Sequence, residues 1–67
     1  MKEVTEICIT CKLHGNETSV GWKAVIGGQQ YGSTKWKHTG LDKLPEAMQE
    51  IEADMWKAIR RLSNVAE

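Results

Sequence analysis

The stretch Leu44 to Leu62 constrains this chain most: Leu44, Met48, Ile51, Met55, Ile59 and Leu62 recur at three- and four-residue intervals and form one apolar stripe, flanked by Ala47 and Ala58. Such a stripe specifies a single amphipathic helix of about twenty residues. Glu46, Glu50, Glu52 and Asp54 fall in its first half and Lys57, Arg60 and Arg61 in its second, the order that complements the helix macrodipole. Pro45 suits a first helical turn, Asp42 is the expected cap, and Ser63-Asn64 the expected end. One striped helix cannot bury itself, so the residues before it must supply the surface that covers it.

Those residues alternate instead. From Val4 to Leu13, Ile7, Ile9, Cys11 and Leu13 take one side while Glu6, Cys8, Thr10 and Lys12 take the other, which reads as a strand. His14 to Ser19 supplies turn residues, and Val20, Trp22, Ala24 and Ile26 form the apolar side of a second strand. Gly27-Gly28 marks a hairpin, and a third strand is expected from about Gln30 to Lys37. A three-residue loop places Gly32 opposite Ala24, Thr34 opposite Trp22 and Trp36 opposite Val20, which keeps Trp36 on the buried side. The expectation is therefore one small α+β domain over residues 1–67: a three-stranded antiparallel sheet packed on one C-terminal helix (βββα), its covered face carrying Ile7, Ile9, Leu13, Trp22, Ile26 and Trp36.

At 67 residues, a single domain is expected. Nine basic residues balance nine acidic ones, so the chain lacks the bulk positive field of a non-specific nucleic-acid binder. No apolar run is long enough to span a bilayer, and Met1-Lys2-Glu3-Val4 does not read as a leader, so the expected location is cytoplasmic and no membrane partner is expected.

Four side chains are of the type zinc takes: Cys8, Cys11, His14 and His38. A zinc knuckle converges its close cysteine pair on a turn, whereas alternating strand positions three apart point to opposite faces. Cys11 thus reads as a small core residue and Cys8 as a surface thiol; no metal or other cofactor is expected. Neither histidine has a nucleophile and carboxylate at triad spacing, Gly27-Gly28 lacks the rest of a phosphate loop, and the helix carboxylates lie on solvated faces, so no enzyme is expected.

Two surfaces remain as candidates. On the expected register, the sheet face away from the helix carries Lys12, Lys23, Lys35 and Lys37 with Val25 and Tyr31, opposed by Glu6, a face able to meet phosphates. Trp56, with Arg60, lies off the centre of the helix stripe, as a flanking ring or a partner anchor. The order of three strands and one helix, with Pro45-Glu46-Ala47 opening the helix, resembles the arm-binding N-terminal domains of tyrosine recombinases, which read DNA with such a sheet. It also resembles the HicB-type antitoxin fold, which binds a partner toxin. The expected function is non-enzymatic protein–protein contact through Trp56, Arg60, Tyr31 and Val25, as a regulator or inhibitor of a partner or as a homodimer. Nucleic-acid binding through the four lysines is the alternative.

Overall fold

The computed structural model describes residues 2–33 and 35–64 and has the α+β architecture expected: an antiparallel sheet covered on one face by a single C-terminal helix. Strand β1 runs Val4–His14 and β2 Glu17–Ile26, joined by a two-residue turn at Gly15-Asn16. The turn is tighter than the expected His14–Ser19 loop, so Glu17, Thr18 and Ser19 extend β2. Register runs from His14 opposite Glu17 to Val4 opposite Ile26, with one bulge between Val4 and Glu6.

The third strand is in two pieces. β3 spans Gln29–Gly32, β4 spans Lys37–Gly40, and both pair with β2. The Gly27-Gly28 turn is a two-residue loop in place of the expected three, because both glycines take positive φ (58° and 82°), the geometry of a tight hairpin turn. Gly32 therefore faces Lys23, and Lys37 faces Val20, so the ladder is interrupted at Gly21 and Trp22. Ser33 marks the break: its N–H donates to the Trp22 carbonyl (3.1 Å), while its hydroxyl accepts from the Trp22 N–H (3.2 Å) in place of a ladder carbonyl. The pairing expected for Thr34 falls outside the described residues.

The helix, α1, spans Leu44–Ser63 after a short 3-10 turn at Leu41–Lys43. Pro45 lies in its first turn and Asn64 caps its end, as the sequence implies, but Asp42 sits in the 3-10 turn and makes no cap. Backbone bonds fix its direction. Leu41 N–H donates to the Asn16 carbonyl (2.9 Å) and Lys2 N–H to the Ser63 carbonyl (3.0 Å), so α1 runs antiparallel to β1. The core joins Val20, Trp22, Ala24 and Ile26 of β2 to Ala47, Ile51, Met55 and Ile59 of α1. At 13.1 Å, the radius of gyration exceeds the ~11 Å of a compact chain of this length. With extents of 43 × 17 × 16 Å, the molecule is a thin rod built on one strand and one helix.

Candidate contact surfaces

The helix centres on β2 and leaves one flank of the sheet bare. An α-helix is about 10 Å across and strands lie ~4.8 Å apart, so one helix covers about two of three strands. The covered flank is marked by Lys37 of β4, whose Nζ lies 3.0 Å from Glu50 of α1. At about 100° per residue, Glu50 sits on one shoulder of the helix; Met48 and Trp56 sit on the other, which faces β1.

Strand β1 presents Ile7, Ile9, Cys11 and Leu13 on the helix side, opposite Ala24, Trp22, Val20 and Thr18. The β2 partners are buried, but Leu13 is 63% exposed and Ile7 41%. Across the seam Trp56 is 45% exposed and Met48 39%, with the Trp56 indole N–H donating to Glu52 Oε2 along its own helix (3.2 Å). Running antiparallel to β1, α1 places Met48 toward the Leu13 end and Trp56 toward the Ile7 end. Four large apolar side chains thus line one seam beside the outer edge of β1, with which no strand pairs among the described residues. Ile7 and Leu13, expected under the helix, are on the expected face but uncovered. Arg60 is exposed and points away from the sheet.

The other sheet face is polar and differs from expectation in membership. Trp36, expected in the core, lies on this open face: a Cβ on Gly21 would fall 2.8 Å from its indole, so the ring rests on the glycine backbone. A lone glycine inside a strand pattern is the sequence signal of such close approach. Lys12 Nζ sits 5.0 Å from the ring centroid, and Lys12, Lys23, Thr10 and Gln30 border a shallow hollow with Trp36. His38 Nδ1 lies 3.0 Å from Ser19 Oγ. Val25 is on this face, half-buried opposite Glu6.

The other residues expected there are not. Tyr31 pairs with Ala24 and packs against the core, and its hydroxyl donates to Gln29 Oε1 (2.8 Å). Lys37 pairs with Val20 on the helix side, and Lys35 borders a hollow between sheet and helix with Asp54. The cause is the two-residue turn and the later break, which shift the register by one residue in each half. The open face keeps Lys12 and Lys23, with Glu6 and Glu17 on the same side.

Cys8 faces the open side opposite Lys23 and Cys11 the helix side opposite Val20; both thiols are free. The four residues of the zinc alternative thus do not share a face, since His14 and His38 lie with Cys8 on the open side. Among the described residues no three His, Cys, Asp or Glu side chains cluster as metal ligands, and no helix is long and apolar enough to cross a membrane. No family model, curated protein or solved structure matches the chain.

Proposed function

We propose that this chain is a small non-enzymatic protein that acts by protein–protein contact, as a regulator or inhibitor, and that its contact surface is the seam between β1 and α1. One observation carries the reading: Ile7, Leu13, Met48 and Trp56 are left uncovered along a strand edge that pairs with no other strand among the described residues. An apolar patch next to unpaired backbone donors and acceptors gives a partner both burial and main-chain hydrogen bonds. Trp56 belongs to this seam; Tyr31, Val25 and Arg60, the other residues expected to make the contact, lie outside it. Two free thiols suit a reducing, cytoplasmic setting.

The test is affinity capture from the native host with and without nuclease. Wild type is expected to retain protein, its own chain or another, with nuclease present, and Leu13→Glu to lose it while keeping the wild-type circular dichroism. Capture that nuclease abolishes, or that Lys12→Glu with Lys23→Glu abolishes and Leu13→Glu does not, overturns the reading.

That second outcome belongs to the nucleic-acid alternative, which a single observation favours: an indole on the open sheet face beside Lys12 and Lys23, a place for a base to stack and phosphates to pair. Two lysines against Glu6 and Glu17 give it little net charge. It ranks second for that reason.

A further inference from the structure

Resting on the seam reading above, we infer that the partner of β1 is β1 of a second copy, paired antiparallel about a two-fold axis through Ile9. Geometry restricts the registers available. A two-residue turn is closed by a hydrogen-bonded pair, here His14 and Glu17, and bonded and non-bonded pairs alternate along an antiparallel ladder. From His14 back to Glu6, the even-numbered residues therefore spend their N–H and C=O groups on β2, and Ile7, Ile9, Cys11 and Leu13 turn theirs to the free edge. A second β1 must meet them with its own odd-numbered residues. The same parity puts both helices on one face of the joined sheet, so the two apolar seams meet.

Among registers of that parity, charge selects one. With Ile9 opposite Ile9 of the second copy, Glu6 stands opposite Lys12 of the second copy, and Lys12 opposite its Glu6, on the open face. Moving the register by two residues either way sets Glu6 against Thr10 or His14 and leaves Lys12 against Val4 or Cys8. Ile9 is also the midpoint of Val4–His14, so this register uses the whole strand, with the bulge at Thr5 confined to its ends. On the helix side it sets Ile7 against Cys11 of the second copy.

The helices then fit. Lying over the two β2 strands, three strand spacings apart, their axes are separated by about 14 Å, wider than the 8–10 Å of direct helix packing. Met48 and Trp56 occupy that gap from both sides. Because the helices are antiparallel about the axis, Met48 of each copy comes toward Trp56 of the other. A rod only 17 × 16 Å in section thus gains the second half of a core, which a chain of this size otherwise lacks.

Charge reversal tests the pairing. By sedimentation of the full chain, wild type is expected to dimerise in a concentration-dependent manner, and Glu6→Lys and Lys12→Glu each to raise the dimer Kd roughly tenfold, two opposite-charge pairs becoming two like-charge pairs. An equimolar mixture of the two variants restores both pairs in a heterodimer and should recover wild-type association, which also shows that each variant is folded. A dimer indifferent to both reversals, or a mixture that associates no better than its components, overturns the register. A wild type still monomeric at about 1 mM overturns self-pairing; the seam reading then stands or falls separately on whether Leu13→Glu abolishes capture of another protein.

Discussion

The two edges of the sheet have opposite designs. The β3–β4 edge consists of two separate four-residue pieces, is linked to the helix by Lys37 and Glu50, and has Trp36 folded back over Gly21. The β1 edge is eleven residues long, carries one bulge near its start, and is backed by apolar side chains that the helix leaves bare. Short, kinked, covered strands are how proteins keep an edge from pairing. One edge is thus blunted and the other left straight, and the helix, centred on β2 and bonded to β4 through Glu50 and Lys37, leaves the outer flank of β1 bare.

The largest expected effect lies where the two halves share a residue. Trp22→Ala, at the centre of β2 under α1, should cost about 3–5 kcal/mol and unfold the monomer, as read by circular dichroism and urea titration. Gly21→Val attacks the blunted edge alone, because a side chain there meets the Trp36 ring at 2.8 Å; a loss of about 1–3 kcal/mol is expected, with Trp36 fluorescence shifting toward that of a solvated indole. Gly28→Ala forces a positive φ on alanine at the β2–β3 turn and should cost about 1 kcal/mol, with association through β1 unchanged. Trp56→Ala sharpens the contrast, since it should leave monomer secondary structure intact while weakening association; global unfolding would show the ring to be core. The smallest effect is expected from Lys37→Ala, within about 0.5 kcal/mol, because its partner pair is solvent-exposed.

How far the sequence discloses this molecule depends on the range of each signal. The stripe from Leu44 to Leu62 and the alternation in the first two strands are local, and they correctly imply α1, β1, β2 and the helix-on-sheet arrangement. The Gly27-Gly28 turn is visible, but its length is ambiguous between two and three residues, and each choice sends Tyr31 and Lys35 to different faces. The break at Ser33 leaves no local mark beyond Gly21, one strand away, so the hydrophobicity of Trp36 alone points it to the core. The bare seam follows from width: alternation shows that Ile7 and Leu13 point toward the helix, but not that a single helix reaches only two strands. Its flank could have been found by asking which side of β2 the helix charges pair with, through Glu50 and Lys37.

Hydrogen exchange at β1 tests the central claim, that this edge is a docking edge and takes a second copy, most directly. The amides of Ile7, Ile9, Cys11 and Leu13 face outward, whereas those of Cys8, Thr10 and Lys12 bond β2. In the monomer the outward set should exchange at nearly open-chain rates. Raising the protein concentration through the dimer transition should protect Ile7, Ile9 and Cys11 together, while amides on β3 and β4 stay as they were. Outward amides that continue to exchange freely in a fully associated sample, or protection that grows on β4 instead, would contradict it.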